Sequence, residues 1–367
     1  IIKKMVKKKI SYVRIDFIED LFCVDSKLIT VSYIRMRRKA MNYIVWAESN
    51  DPRYNLAVEA HLQTLVKEGD VILYLWQNEH TVVIGKNQNI LKECRARLLE
   101  EEGGYVARRT TGGGAVYQDM GNVCFTFLAS PEMYDLKRQS GIIADACRFY
   151  GIETQASGRN DILTKEGLKF SGNAYSKTAS CNVQHGTLMV DVDKERMTRY
   201  LTPSKEKMKA KGVDSVRSRV CNLRDLNQEI TTQGIMEQMA ESFQKEYGTA
   251  QILKLGGEDQ EKIRQIYESY CSWEWVYGQS PACEIVHQKR FVWGEVEVQM
   301  HLENLVIKEI KVYTDALDIG LPQAIEKAFR GRRYDLSDVA TDAAEGESAI
   351  ERQKQVKEVI DWIAGIS

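Results

Sequence analysis

The chain has 367 residues, long for one compact domain and comfortable for two, and its 43% hydrophobic and 28% charged content is that of an ordinary globular protein. No run approaches the ~18 apolar residues that span a bilayer, and the eight cysteines, spread without a C-x-x-C pair, argue with only five histidines against a structural zinc site. The net charge of −1 hides an asymmetry: residues 1–40 carry 11 Lys and Arg against 4 Asp and Glu, a net of +7, so the other 327 residues stand at −8 and make a poor nucleic-acid binder.

Residues 1–40 begin with Ile and contain neither Gly nor Pro. They lack the apolar core of a signal peptide, and Asp16, Glu19, Asp20 and Asp25 do not suit a transit peptide. The favoured reading makes 1–40 an N-terminal basic extension outside the native fold, with a new start at Met41; a basic arm that binds a partner is the alternative. Single cysteines in strand-like runs, such as Cys124 between Val123 and Phe125, read as small buried hydrophobes in a reducing compartment, so a cytoplasmic location is expected.

After Met41 helical and strand periods alternate. Asn55–Val66 predicts a helix stopped by Gly69-Asp70, and Val71–Trp76 with Thr81–Gly85 predicts a hairpin across a polar turn. Leu91–Glu102 predicts a charged helix closed by Gly103-Gly104. Strands at Tyr105–Arg109, Ala115–Tyr117 and Val123–Leu128 surround a glycine loop, a helix covers Leu136–Tyr150, and strands follow at Asp161–Thr164, Lys169–Tyr175 and Gly186–Val190. Helices are then expected at Lys194–Leu201, Thr232–Tyr247 and Glu261–Ser272, with a Lys-rich segment at 205–211. A second strand block from near Cys283 takes in Phe291–Trp293, Glu295–Leu302 and Leu305–Tyr313, before helices at Pro322–Phe329 and Ser348–Ile363. The class is α+β (α/β): a large mixed-sheet domain over 41–285 and a small C-terminal α+β domain over 286–367.

Three segments carry chemistry. In Arg108-Arg109-Thr110-Thr111-Gly112-Gly113-Gly114-Ala115-Val116-Tyr117-Gln118-Asp119, contiguous glycines between strands let the backbone approach a ligand, and Arg109 offers a charged fork for phosphate or carboxylate. No Gly-Lys-Ser/Thr follows, and the glycines lead into a strand, so neither a Walker loop nor a dinucleotide fingerprint fits. A tight turn and a ligand cradle both remain open for the triplet alone. In the second segment, Gly158-Arg159-Asn160-Asp161-Ile162 precedes Lys169-Phe170-Ser171-Gly172-Asn173, where Gly172 removes a side chain and Lys169 is either a ligand contact or a solvated edge residue. The third is Gln184-His185-Gly186-Thr187-Leu188, whose histidine is a catalyst or a satisfied core residue.

Taken together, in this order, the double Arg, glycine triplet, Lys-x-Ser-Gly and His-Gly-Thr segments resemble the lipoate–protein ligase family. The resemblance runs from about Met41, through Arg53-Tyr54-Asn55-Leu56-Ala57, to the C-terminus. Within it, 211–220 looks like the family's adenylate-binding loop, and Gln118 departs from the histidine common at that position.

The resemblance implies the biotin/lipoyl ligase fold, with a catalytic lipoate- and ATP-binding domain over 41–285 and an accessory domain beyond. It also implies ATP-dependent activation of lipoate to lipoyl-AMP, then transfer of the lipoyl group to a lysine of an acceptor. By the same resemblance Lys169 is catalytic and contacts both lipoate and the α-phosphate. Arg109 and the backbone of Gly114, Ala115, Val116 and Tyr117 would hold ATP with Lys169, and Leu56, Trp76 and His185 would line the lipoate slot. Asp161 is the candidate for Mg²⁺. The implied partners are lipoyl domains of 2-oxoacid dehydrogenase acyltransferase subunits and the glycine cleavage H protein, with neither nucleic acid nor membrane.

The rival within the fold is an octanoyl or lipoyl transferase working through a cysteine thioester. The segment around Asp161 holds no Cys, and Cys181 has no activating neighbour in sequence. A biotin–protein ligase would need a Gly-Arg-Gly-Arg loop that is missing. A non-catalytic homologue that binds lipoyl domains is the reading outside enzymology.

Overall fold

The computed structural model describes residues 15–24, 27–36, 40–86, 88–157, 160–202, 220–280, 283–314, 316, 318, 320–336 and 347–366. The Lys-rich segment 205–211, Gly158-Arg159 and residues 211–219 of the expected adenylate loop lie outside them.

Strands β1 (Ile15–Val24) and β2 (Lys27–Met36) pair antiparallel as a sheet of their own, in a stretch where no element was expected. β3 (Asn42–Trp46), α1 (Pro52–Leu65), β4 (Val71–Trp76), β5 (Thr81–Ile84), α2 (Ile90–Glu93), α3 (Ala96–Glu101), β6 (Tyr105–Arg108), β7 (Val116–Gln118) and β8 (Asn122–Ala129) follow. Then come α4 (Leu136–Phe149), β9 (Thr154–Ser157), β10 (Asp161–Thr164), β11 (Lys169–Lys177), β12 (Asn182–Met189) and α5 (Lys194–Tyr200). The larger body ends with α6 (Thr232–Tyr247), β13 (Gln251–Ile252), α7 (Gly257–Cys271) and α8 (Trp273–Val276).

Eight strands form one mixed sheet in the order β13-β3-β4-β8-β12-β11-β10-β9, and β6-β5-β7 form a second, smaller sheet. In β4 every residue is buried. Val71, Leu73 and Leu75 enter one core with Val123, Phe125 and Phe127 of β8, while Ile72, Tyr74 and Trp76 enter another with Cys124 and Leu128. A sheet apolar on both faces needs cover on both. On the first face lie Ile142, Ile143 and Ala146 of α4 with Ile235, Met239 and Phe243 of α6. On the second lie Leu56, Val58 and Leu62 of α1 with Ile263 and Tyr270 of α7. Asp51 caps α1 by accepting from the Arg53 N–H, and Pro52 stands in its first turn.

The C-terminal unit comprises β14 (Cys283–Phe291), β15 (Gly294–Glu303) and β16 (Val306–Thr314), covered by α9 (Leu321–Phe329) and α10 (Glu347–Ala364). Val296, Val298, Met300 and Leu302 point inward from β15 while Glu297, Gln299 and His301 alternate outward. Its core is continuous with that of the small sheet, since Val82 and Ile84 belong to the same cluster. Among the described residues no helix is long and apolar enough to cross a membrane.

Three expectations are corrected. β4 and β5 are not a hairpin: β4 pairs with β3 and β8, and β5 with β6 and β7. The link between them is fastened, not free. Asn78 is buried and bonded to Asn55 and Gln118, and His80 takes a positive φ of 33° as the chain leaves the large sheet. The single helix expected over Leu91–Glu102 is two, because the chain extends at Cys94 to bridge Leu201. Val292 and Trp293, expected within a strand, form the turn between β14 and β15, where Phe291 pairs with Gly294.

Candidate functional site

Where the small sheet meets β10, β11 and β12, a cleft of about 340 Å³ opens. Leu56, Trp76, Arg109, Gly114, Ala115, Val116, Asp161, Lys169 and His185, all singled out from sequence, line it. The Tyr117 side chain does not. Strand alternation sends Val116 and Gln118 to the cleft and the Tyr117 ring the other way, to stack on Tyr200 at 5.9 Å between centroids.

The glycine loop is shaped by close approach. A Cβ on Gly85 would fall 2.3 Å from the Gly113 carbonyl oxygen, and one on Gly113 would fall 2.8 Å from Arg109 Nη2 in a backbone with φ of +100°. Arg109 explains the loop's posture: its Nη2 donates to the carbonyls of Gly112 and Gly114 at 2.8 and 2.9 Å, and its Nη1 donates to Val83. With those carbonyls held from behind, the N–H groups of Gly112, Gly113 and Gly114 have no acceptor among the described residues. Successive N–H groups of this kind can cradle an anion, and Gly113 and Gly114 line the cleft. Burial pushes the Arg109 guanidinium down to about 10, so it is still cationic at neutral pH. Its donors face loop carbonyls, not open cleft, so here it builds the cradle.

Lys169 lies opposite. β11 opens with a bulge: Ile162 pairs with Ser171 but Leu163 with Lys169, so Phe170 is the extra residue and the strand bends at the lysine. Lys169 Nζ meets Asp161 Oδ1 at 2.7 Å, both about one-third exposed. The Lys169 carbonyl accepts from the Cys221 N–H at 2.9 Å, and Val220 bridges Lys169. The expected adenylate loop thus has its described end, Val220, at the lysine. A Cβ on Gly172 would touch only the end of the Lys169 side chain, Nζ at 3.5 Å and Cε at 3.7 Å, so this wall is open toward the cleft.

A buried hydrogen-bond chain runs behind the floor. Arg109 Nε donates to Thr111 Oγ1 at 3.1 Å, and Thr111 Oγ1 meets His185 Nε2 at 2.8 Å. His185 Nδ1 meets Glu59 Oε2 at 2.8 Å. The same carboxylate oxygen accepts from Thr126 at 2.7 Å, and Trp76 Nε1 donates to Thr126 at 3.1 Å. Burial pushes the Glu59 carboxyl up, but His185, Thr126 and Arg109 outweigh it and hold the carboxyl below its ordinary value. Asn55 fastens the cleft rim in the same way: it accepts from the Tyr74 hydroxyl and donates to Asn78, which donates to Gln118 Oε1 at 2.7 Å. Gln118 is therefore a bonded wall residue.

The neighbouring Arg108, fully buried, points away from the cleft. Its Nη1 donates to the carbonyls of Gly85, Lys86 and Gln88. Its Nε and Nη2 donate to Trp275 and Val276 carbonyls and the Ser280 hydroxyl. Trp275 Nε1 returns a bond to the Arg108 carbonyl at 2.9 Å. The paired arginines, alike in sequence, hold two different loops.

Asn160 and Asn173, which line the cleft and bond each other's carbonyls, were not singled out from sequence, nor were Glu59 and Thr111. Asn160 and Asn173 lie inside motif segments already in view. Glu59 carried no signal, since a glutamate on a helix reads as a solvated face. Among the described residues no cysteine lines the cleft. Burial pushes the Cys181 thiol up to about 11 and that of Cys147 to about 12.

Comparison with known proteins follows the same line. Residues 51–244 match the family described as lipoyl protein ligase A/B catalytic domain, and residues 280–363 match bacterial lipoate protein ligase C-terminus. Among solved structures, the LipL1 protein of P. falciparum in complex with lipoate is 27% identical, over 88% of this chain and 99% of that one, with a TM-score of 0.57. The bi-partite lipoate protein ligase of Thermoplasma acidophilum, solved as a lipoylation system with its E2 lipoyl domain, is 22% identical over 65% of this chain and 96% of that one, at a TM-score of 0.59. A lipoate-protein ligase A bound with ATP is 20% identical over 64% and 98%, at 0.57. The last two are likenesses of fold.

Proposed function

The chain belongs to the lipoyl protein ligase A/B family, and from that premise we propose that it is an ATP-dependent lipoate–protein ligase. The observation that carries the proposal is the meeting, in one cleft, of a cationic lysine and a loop of unpaired N–H groups beside an apolar slot. A carboxylate oxygen of lipoate attacks the α-phosphorus of ATP and pyrophosphate leaves. An acceptor lysine amine then attacks the carbonyl carbon of lipoyl-AMP and AMP leaves. Both steps gather negative charge on oxygen, which fixed N–H groups and a cation stabilise without reorganising.

Lys169 sits where carboxylate and α-phosphate would meet, and Asp161 holds its ammonium there beforehand. Leu56, Trp76, Val83 and Val116 give the pentanoyl chain and dithiolane an apolar wall. Asp161 is the one carboxylate among the described lining residues, and no cluster of three His, Cys, Asp or Glu forms among the described residues. A Mg²⁺ ion fits this donor set as the companion of the nucleotide, with Asp161 as its protein ligand and water and phosphate oxygens as the rest. It would supply neutralisation of phosphate charge.

The acceptors we propose are folded lipoyl domains, those of 2-oxoacid dehydrogenase acyltransferase subunits and of the glycine cleavage H protein. The family's C-terminal match and the Thermoplasma ligase with its E2 lipoyl domain support this. A thioester route is disfavoured by the absence of any cysteine from the lining among the described residues and by the Cys147 and Cys181 thiols being held protonated at neutral pH. The decisive assay mixes the protein with lipoate, ATP and Mg²⁺ and follows pyrophosphate, then adds a purified lipoyl domain and follows AMP and lipoyl-lysine. Pyrophosphate release that requires lipoate, and AMP matching lipoyl-lysine one for one, is expected. No pyrophosphate, or lipoyl transfer from an acyl-carrier donor without ATP, would refute the proposal.

A further inference from the structure

With the His185 ring neutral, the buried chain from Arg109 to Glu59 has one proton order. Glu59, 1% exposed on α1, offers only acceptor oxygens when ionised, and its Oε2 already takes the Thr126 hydroxyl hydrogen. His185 Nδ1 must therefore carry the hydrogen that lies between ring and carboxylate. In the neutral ring Nε2 is then a bare lone pair, and the neighbour available to fill it is the Thr111 hydroxyl, whose oxygen is free to accept Arg109 Nε. The links run in order: carboxylate, ring tautomer, hydroxyl rotor, guanidinium, loop carbonyls, with Arg109 Nε shared between the Thr111 hydroxyl and the Gly112 carbonyl.

The last link matters for chemistry. Arg109 holds the Gly112 and Gly114 carbonyls only while its own plane is held. Its Nε is shared between Thr111 Oγ1 at 3.1 Å and the Gly112 carbonyl at 3.2 Å, its Nη1 takes the Val83 carbonyl, and Thr111 is the one side chain among these acceptors. Contiguous glycines have little conformational preference of their own, so the cradle's order must come from such neighbours.

We propose that Glu59 is a positioning residue for the glycine loop: acting through His185 and Thr111 on Arg109, it orders the loop's N–H cradle before a nucleotide arrives. This deepens the ligase reading and rests on it in its kinetic arm alone. Without Glu59 the ring can exchange to the Nε2–H tautomer and donate to Thr111. The Thr111 hydroxyl hydrogen then has no acceptor in the chain, the rotor turns to find one, Arg109 is left with its backbone acceptors alone, and the cradle becomes several conformers of which a fraction binds ATP. Affinity falls by that fraction, while the bound complex, once formed, reacts at its usual rate.

The test uses the full chain with Glu59→Ala, Glu59→Gln and Thr111→Val. Gln keeps one oxygen able to accept both hydrogens, so it should restore the chain, and Val breaks the chain at its other end without touching the carboxylate. In lipoate-dependent ATP–pyrophosphate exchange, Glu59→Ala and Thr111→Val should raise the KM for ATP ~10-fold or more with kcat within ~3-fold, and Glu59→Gln should stay within ~3-fold of the parent in both. A role confined to stability would lower the active fraction and leave KM in place. Nitrogen-15 spectra of labelled histidine and glycine give a readout that needs no substrate. The His185 ring should move from the Nδ1–H to the Nε2–H form in Glu59→Ala, and the Gly112–Gly114 amide resonances should shift or broaden. Unmoved glycine resonances in folded Glu59→Ala would overturn the proposal, as would a Glu59→Gln as impaired as Glu59→Ala beside a normal Thr111→Val. If the parent protein shows no exchange at all, the ligase reading falls and the spectra still decide the positioning role.

Discussion

Replacing Lys169 by alanine should slow adenylate formation by roughly 30-fold or more while sparing the fold. Lys169 Nζ and Asp161 Oδ1 stand 2.7 Å apart and roughly one-third exposed. In such a partly wet setting, with an effective dielectric near 20, two unit charges ~4 Å apart interact by about 4 kcal/mol. Solvent entering the space left by the side chain would recover up to half, leaving a loss of about 2–4 kcal/mol, or roughly 30- to 1000-fold in rate. The variant also leaves Asp161 bare, facing two substrate anions. Because Lys169 and Asp161 are in direct contact, the double-mutant cycle of Lys169→Ala with Asp161→Ala should be non-additive. The assay is lipoate-dependent ATP–pyrophosphate exchange beside circular dichroism. Exchange within ~3-fold of the parent in a folded Lys169→Ala would refute the role given to the cation, because that is less than the ~30-fold lower bound.

Gly113→Ala forces a Cβ to 2.8 Å from Arg109 Nη2 at a φ of +100°. It should destabilise by about 1–2 kcal/mol and raise the KM for ATP; an unchanged melting temperature and KM would count against the cradle geometry. Cys181→Ser and Cys147→Ser should each keep lipoyl transfer from free lipoate with ATP, releasing AMP one-for-one; loss of transfer in either folded variant would favour a thioester route. Because the Glu59 carboxyl lies below its ordinary value of about 4.5, its contribution to stability is complete above that pH and is lost as pH falls through the lower folded value. The urea midpoint should thus drop more steeply on acidification below about pH 4.5 in the parent than in Glu59→Gln, and parallel curves would contradict the assignment.

Legibility in the sequence followed how local the cause was. Helices such as Thr232–Tyr247 and strands such as Asp161–Thr164 announce themselves by period, and their bounds match the structure. The β4–β5 hairpin failed because two apolar runs and a short polar link look the same whether the strands pair or part. What separates them is Asn78, buried against residues 23 and 40 positions away. The glycine triplet, Lys169 and His185 stood out because their residue types are costly without a use. Glu59 and Asn55 did not, since nothing in a helical glutamate or asparagine tells that its face is turned to a buried network. Likewise Arg108 and Arg109 share a dipeptide, and only the opposite pointing of successive strand side chains divides their tasks.

The Arg108 seam also bears on how the polypeptide can be divided. A fully buried guanidinium whose partners among the described residues are carbonyls and one hydroxyl is held by two distant stretches, Gly85, Lys86 and Gln88 in one and Trp275, Val276 and Ser280 in the other. The second stretch lies between the two family matches, which end at 244 and begin again at 280. Cutting the chain at the first of those limits would strip three acceptors from a charge in a dry interior, an imbalance worth about 3–5 kcal/mol. A fragment of the larger body intended to fold by itself should therefore extend through Ser280, and the scissile point for separate expression of the two pieces belongs after that residue.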